Sequence, residues 1–453
     1  MQYIDNILFL LIAVAAFYFF GTQLKAVLSN VNLGRPDVRK DRFSERLNRM
    51  ILVAFGQQKM FKKPTPAILH GLVYVGFLVI NIELIEILID GISGEHRSLS
   101  FLGILYDALM AVNEILGFLV IIACVILLYR RNVLKIKRFS GIEMKNANFV
   151  DANVILWTEI VLMFALFTFN IADVSMACIE KHELAGAFPI SNLLCCAFGT
   201  NITLLTLLKT AGWWIHIVGI LLFLNYIPRS KHFHIIAAFP NVFYSKLIPA
   251  GHFNSLEQIT HEVKAAFDPS YQVPVMENAP KRFGATDVTD ISWKNLLDSY
   301  SCTECGRCSD VCPANITGKK LSPRKIIMDT RDRLEEIQKY KLVADENGVI
   351  VPSDKAIAGA EEAYTHTLLG ENYVSNEELW ACTTCNACVE ACPVTIDHVS
   401  TIIDLRRFLV MEKAIIPDSW ARMFTNIENN GAPWAVPAAT RFDWAMEVEM
   451  PES

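Results

Sequence analysis

The sequence predicts a mainly α-helical protein, a five-helix transmembrane bundle followed by a smaller helical domain in water. Three observations lead there. Hydrophobic residues make up 53% of the 453-residue chain and charged residues only 19%, where a soluble globular chain carries about 25% charged residues. The shortfall is local: residues 1–245 hold long apolar runs, whereas 246–453 read as an ordinary water-soluble mixture. Eight of the 12 cysteines stand in two tight runs, both in the soluble half. Such a composition excludes a disordered chain, a collagen and a secreted disulfide scaffold. The net charge of −6, with no basic stripe in the soluble half, argues against a nucleic-acid partner.

Five stretches are long enough to cross about 30 Å of hydrocarbon: Ile4–Val27, Pro66–Gly91, Phe101–Tyr129, Asn153–Ala177 and Ala211–Phe239. The first has no basic leader, carries Asp5 and is too long for a cleaved signal. A shorter apolar stretch, Leu193–Leu208, is interrupted by Gly199, Thr200 and Asn201 and reads as an interfacial or re-entrant segment. Ten Lys and Arg residues lie between spans one and two and six between spans three and four, against three in the loops after spans two and four. Positive charge marks the cytoplasmic side. The N-terminus is therefore expected outside and everything after span five in the cytoplasm of a prokaryotic cell, as a multi-pass protein of its inner (cytoplasmic) membrane. A reducing compartment suits metal clusters rather than disulfides.

Span five carries His216, and His232 and His234 follow it closely. His216 and His234 are 18 residues apart, about five whole turns of one helix, with His232 about 160° off that face. His70 opens span two at the same expected depth as His234. Two histidines at matched depth on different helices are what a bis-imidazole haem b needs, so His70 and His234 are the expected ligands. His216 leaves two readings open, a ligand of a second haem or a structural or quinone-adjacent residue. His96 and His182 in the outer loops could fold back toward it. Glu83, Glu86, Glu114, Glu159 and Asp173 lie in or near the spans, with Asp90 at an interface. Acids at depth are functional candidates, and a quinone-protonating role for Glu83 or Glu114 stands beside that of a buried structural hydrogen bond.

The stretch Pro66-Ala67-Ile68-Leu69-His70-Gly71 and the segment from His216 to Tyr244 resemble the γ (cytochrome b) subunit family of respiratory nitrate reductase. That family has five helices and two haems, each held by a histidine on helix two and one on helix five. The position ten after His70, where the family has its other helix-two ligand, is Ile80 here. The resemblance therefore implies one haem and leaves the second in question.

The first cysteine run is Cys302-Thr-Glu-Cys305-Gly-Arg-Cys308-Ser-Asp-Val-Cys312-Pro313, and the second is Cys382-Thr-Thr-Cys385-Asn-Ala-Cys388-Val-Glu-Ala-Cys392-Pro393. Both follow the C-x2-C-x2-C-x3-C-P pattern of two-cluster ferredoxins, in which the fourth cysteine ligates the other cluster. Cys302, Cys305, Cys308 and Cys392 should hold one [4Fe–4S] centre, and Cys382, Cys385, Cys388 and Cys312 the second. A zinc site would use two C-x2-C pairs and leave the third cysteine and the proline of each run without a purpose. Cys124, Cys178, Cys195 and Cys196 have no such spacing and read as small hydrophobes.

About 70 residues separate the two runs, with charged helical patterns at Pro323–Tyr340 and near Asp354–Leu369. The segments around Cys302 and Cys382 resemble the C subunit of heterodisulfide reductase and the iron–sulfur subunits of glycerol-3-phosphate and glycolate dehydrogenases. Phe424 to Trp434 is similar to the linker that precedes cysteine-rich CCG domains in fused relatives. What this implies is a partner: a cytoplasmic iron–sulfur (CCG-domain) or flavin subunit. The expected organisation is a cytochrome b-type membrane domain over 1–245, a linker over 246–290, an α-helical ferredoxin domain over 291–415 and a partner-docking tail over 416–453.

Taken together these features describe an electron-transfer subunit of a membrane oxidoreductase, passing electrons between a cytoplasmic partner and quinone through two [4Fe–4S] clusters and haem b. The partner's substrate stays open between electron-transfer flavoprotein, a disulfide, a hydroxy acid and a sulfur compound. The rival reading is a membrane redox sensor that uses its clusters without quinone turnover. Transport fits poorly, because no inverted repeat is evident, and no nucleotide-binding or hydrolytic motif is present.

Overall fold

A computed structural model describes residues 2–139, 141, 143–144, 146–195, 197–249, 251–275, 282–446 and 448. Lys145 and Cys196 lie outside the described residues. The fold is helical almost throughout, with one short antiparallel hairpin, β1 (Leu342–Ala344) against β2 (Ile350–Pro352), in register Val343 to Val351.

Among the described residues five helices are long and apolar enough to cross a membrane: α1 (Gln2–Val31), α3 (Pro64–Ser93), α4 (Ile104–Asn132), α5 (Asn146–Glu180) and α7 (Ile202–Tyr226). A short α2 (Phe43–Met50) lies between the first two, and α6 (Pro189–Leu193) precedes the last. Their ends follow local chemistry. Pro64 opens α3, where its missing N–H costs nothing, and Gly94 closes it in the left-handed region at φ 76°. Ile7, Leu11, Ile68, Ile82, Phe164 and Leu222 stand exposed around the bundle, an apolar surface that lipid would cover. Small residues let the helices approach, as membrane packing requires. A Cβ on Gly212 of α7 would meet the Phe169 backbone nitrogen of α5 at 2.7 Å, and one on Gly91 of α3 would meet the Phe9 ring of α1.

Span five differs from expectation at both ends. Asn201 is not an interruption but an N-cap, its side chain accepting from the Leu204 N–H at 3.2 Å, so Ile202–Leu208 are the first turns of α7 rather than part of a re-entrant segment. The helix then stops at Tyr226. Pro228 and the extended Ser230 break it into two 3-10 turns, Ile227–Arg229 and Lys231–Phe233, before α8 (His234–Phe243) begins. His216 and His234 therefore do not share one continuous helix, and the five-turn argument for a common face fails. Proline removes the backbone donor that would carry the helix through.

The soluble half contains α9 (Glu257–Phe267), α10 (Trp293–Ser301), α11 (Arg307–Asp310), α12 (Pro313–Ile316), α13 (Pro323–Tyr340), α14 (Ala360–Ala363), α15 (Asn376–Trp380), α16 (Ala387–Ala391), α17 (His398–Met411) and α18 (Asp418–Asn430). The charged pattern at Pro323–Tyr340 is helix α13. The pattern near Asp354–Leu369 yields only the single turn of α14. That turn and the loop after it bury Ala360, Ala363 and Leu368 in the core. That core does not stop at the membrane. Val27 and Val31 of α1, Ile227, Phe233 and Ala237 share one buried cluster with Leu296, Tyr300, Ile326 and Leu405. Ala285 and Val288, within the stretch expected as a linker, are fully buried in it. Arg35, just past α1, pairs with Ser292 in an isolated parallel bridge.

Candidate functional site

The two cysteine runs adopt the same local shape. The first cysteine follows a helix end, Cys302 after α10 and Cys382 after α15. Two left-handed residues then turn the chain, Glu304 (φ 53°) and Gly306 (φ 73°) in one run, Thr384 (φ 55°) and Asn386 (φ 60°) in the other. A one-turn helix next carries the third cysteine, Cys308 on α11 and Cys388 on α16. The turn aims backbone N–H groups at sulfur: Glu304 N–H to Cys302 Sγ and Thr384 N–H to Cys382 Sγ, both at 3.4 Å. Gly306 is confined by the Arg138 carbonyl, which a Cβ would meet at 2.6 Å.

The runs cross over. Cys392, from the second run, lines one hollow with Cys302, Cys305 and Cys308, together with Arg324 and His398. Cys312, from the first run, is among the charges felt by Cys382 and Cys388. Cys308 and Cys388 share a small core with Val399, so the two groups of four abut. Burial, with neighbouring thiols adding to it, pushes the Cys302 thiol up to about 11 and the Cys392 thiol up to about 12. Left to themselves these groups stay protonated at neutral pH. Cationic metal is what turns such thiols into thiolates. Among the described residues no three His, Cys, Asp or Glu side chains converge on one ion-sized point; a cubane presents four separated corners instead. The donor set fits two [4Fe–4S] groups.

The first run is pressed against the membrane bundle. Glu304, almost fully buried, accepts from Lys231 Nζ at 2.6 Å and is ion-paired with Arg331. Burial would raise its carboxyl, but Arg331 and Lys231 outweigh that and hold it below the usual carboxylate range. Lys231 also donates to the Asn148 carbonyl at 2.6 Å, and Arg307 donates to the Lys59 carbonyl at 3.2 Å. The second run touches the same end of the bundle through Asn241 to the Val394 carbonyl at 2.9 Å and Lys246 to Asp397 at 2.7 Å. On its other side Cys385 is exposed, and Trp380 stacks edge-on against Trp420 of α18 at 5.2 Å.

The structure brings His70 and His234 together and leaves His96 and His182 away from His216. His70, in the second turn of α3, faces His234, the first residue of α8, with ring centroids 6.3 Å apart. The Nδ1 of His234 meets the Lys231 carbonyl at 3.0 Å. A carbonyl only accepts, so this nitrogen carries the proton and Nε2 keeps its lone pair. His232 stands edge-on to His234 at 5.5 Å. His216 is buried on α7, its Nδ1 donating to the Leu162 carbonyl of α5 at 2.8 Å. His96 instead meets Asp173 at 3.0 Å and His182 meets Glu180 at 3.5 Å.

The acids of the spans also divide. Glu86 accepts from Leu99 N–H (2.9 Å) and Tyr106 (3.0 Å), Glu114 from Ile190 and Ser191 N–H, and Asp90 from Arg97 and Ser98 N–H. Asp173 pairs with Arg97 at 2.9 Å. These four hold the loops at the end of the bundle opposite the cysteines. Among the described residues Glu83 accepts one hydrogen bond, from Asn113 Nδ2 at 3.0 Å. Glu304, Lys231, Arg331 and His398 carried no signal in the sequence, because each gains its meaning only from partners distant along the chain.

Residues 301–396 match the 4Fe-4S dicluster domain. Over 99% of its length the chain is 32% identical to a probable iron-sulfur-binding oxidoreductase, FadF, of Bacillus subtilis, covering 62% of that protein. Over 97% of its length it is 29% identical to the EtfAB:quinone oxidoreductase of Syntrophomonas wolfei, covering 59% of it. A shorter match, 32% identical over 27% of this chain and 53% of the relative, is to the C subunit of a ferredoxin/F(420)H(2)-dependent CoB-CoM heterodisulfide reductase from Methanosarcina acetivorans. The chain thus spans about three fifths of the length of the first two relatives. No solved structure matches it. The chain therefore joins apolar helices long enough to cross a membrane to a 4Fe-4S dicluster region, and it is similar over nearly its whole length to proteins named as oxidoreductases.

Proposed function

We propose that the chain is a membrane electron-transfer subunit that passes electrons between a cytoplasmic redox partner and the quinone pool. In this reading Cys302, Cys305, Cys308 and Cys392 hold the inner [4Fe–4S] centre, and Cys382, Cys385, Cys388 and Cys312 the outer one. His70 and His234 hold a haem b, in keeping with the resemblance of this region to the nitrate reductase γ family. The two rings stand 6.3 Å apart, centroid to centroid, which supports the pair as joint ligands. When bound, these groups supply the one-electron carriers.

One observation carries the proposal: a short chain of contacts joins the histidine pair to the inner cysteine group. His234 Nδ1 donates to the Lys231 carbonyl, and Lys231 Nζ donates to Glu304, which stands between Cys302 and Cys305. The order outward is then histidine pair, inner cysteines, outer cysteines and the exposed edge at Cys385. Charge between the spans supports a cytoplasmic location for that edge, and the relative named as an EtfAB:quinone oxidoreductase supports quinone at the other end. The test is stopped-flow spectroscopy of the purified chain. A quinol analogue should reduce haem and clusters, and ferricyanide should reoxidise them. A protein without haem, or one whose clusters ignore quinol, leaves the redox-sensor reading in its place.

A further inference from the structure

Three carboxylates of α3, Glu83, Glu86 and Asp90, follow one another at three and four residues, so they share one face and climb it a turn at a time. All three are buried. Asp90 borders a hollow at the end of the bundle away from the cysteines, lined also by Asp5, Glu95, His96, Trp213 and Trp214. Glu83 is ten residues inside the end of α3 at Ser93, about 15 Å at 1.5 Å per residue. A second track leaves Glu86 through Tyr106 (3.0 Å), Arg97 (3.4 Å) and Asp173 (2.9 Å) to the half-exposed His96 (3.0 Å).

Glu83 is the unusual member. Asp90 accepts from Arg97 and Ser98 and Glu86 from Leu99 and Tyr106, whereas among the described residues Glu83 accepts one hydrogen bond, from Asn113 Nδ2. Asn113 is 1% exposed, and its Oδ1 has no partner. An orphaned buried acceptor beside a carboxylate calls for a hydroxyl donor, since buried polar atoms are otherwise paired. An acid at this depth is a functional candidate.

We infer that Glu83, held by Asn113, is the proton acceptor for a hydroquinone hydroxyl, and that the α3 carboxylates lead the proton to the face opposite the cysteine clusters. The inference rests on the electron-transfer reading above. Oxidation of one hydroquinone breaks two O–H bonds. Two electrons leave singly for the haem and cluster carriers, and two protons leave in turn through Glu83, Glu86 and Asp90. Quinone reduction runs the same bonds in reverse. Separating the electron exit from the proton exit makes the reaction move charge across the membrane.

The experiment uses the full chain in sealed vesicles, selected for clusters outward, with a menaquinol analogue in the bilayer, ferricyanide outside and a pH dye inside. Wild-type protein should acidify the lumen as ferricyanide is reduced. Glu83→Gln should slow ferricyanide reduction at least tenfold, keep its haem and cluster spectra under dithionite, and lose a protonated-carboxyl band from the redox infrared difference spectrum. Wild-type protein that releases its protons outside, or E83Q protein as fast as wild type with the band intact, overturns the proton route and leaves the electron route standing. Wild-type protein that reduces no ferricyanide overturns the electron-transfer reading and the route with it. Should E83Q lose its haem or clusters, Glu86→Gln and the side of wild-type proton release decide the matter.

Discussion

Single residues carry the sharpest expectations. Cys312 lies 70 residues before Cys382 yet belongs electrostatically with Cys382 and Cys388. Cys312→Ala should therefore disturb the outer centre and spare the inner one. Electron paramagnetic resonance checks this, and a loss confined to the Cys302 centre would refute the crossing. His70→Ala or His234→Ala should each abolish the low-spin haem spectrum, whereas His232→Ala should largely keep it. Asp397 gives a pH expectation. Burial opposes its charge, but Lys246 and the Ser400 donors hold its carboxyl below the ordinary value of 3.8. A depressed folded value means that the pair stabilises fully above the unfolded carboxylate range and is lost as pH falls through the lower folded value. Lys246→Met should cost about 1–3 kcal/mol at pH 7, the range for stranding a buried polar group. The difference from wild type, read by thermal unfolding, should begin to shrink near pH 4 and vanish only once the pH is under the lowered folded value of Asp397.

At the scale of elements, what the sequence reveals depends on how local the cause is. The cysteine runs were legible because their spacing is covalent, and α13 because Ser322, Pro323 and an apolar stripe define it locally. Span five was misread at both ends because Asn201 can interrupt a helix or cap one, and because the effect of Pro228 depends on whether the next turn restarts. The break has a use: it turns the chain so that His234 opens α8 and faces His70. Close helix contacts were not legible either, since a glycine shows its role only against its neighbour. Gly34, between α1 and the bridge at Arg35, would place a Cβ 2.6 Å from the Trp293 nitrogen. Gly34→Val should loosen the joint between bundle and cluster domain by about 1–3 kcal/mol, as overpacking does. Limited proteolysis between residues 246 and 290 would report it as faster cleavage.

Across the whole molecule, the division into a membrane half and a soluble half was legible from charge alone, but their union was not. The contacts that join them are long-range: Asn30 donates to Tyr300 at 2.8 Å, and Lys231 to Glu304. The proposed order of carriers rests on this docking. In the Cys312→Ala protein, quinol should still reduce haem and the inner centre, while electrons from the partner should no longer arrive. A partner-driven reduction that survives would place the entry point elsewhere than the Cys385 edge.

The shared core of Val27, Val31, Leu296, Tyr300 and Ile326 also sets a timetable. The last turn of α1 packs against residues made some 270 positions later. At 5–20 residues per second, synthesis alone separates them by roughly 15–50 s. For that interval the end of the inserted bundle stands uncapped, and long-range closure of this kind is slow. The late-arriving segment is also the one that must acquire iron. Iron starvation should therefore be felt by the membrane part as well, and a pulse-chase under chelation should show the whole chain, rather than the cysteine domain alone, being degraded.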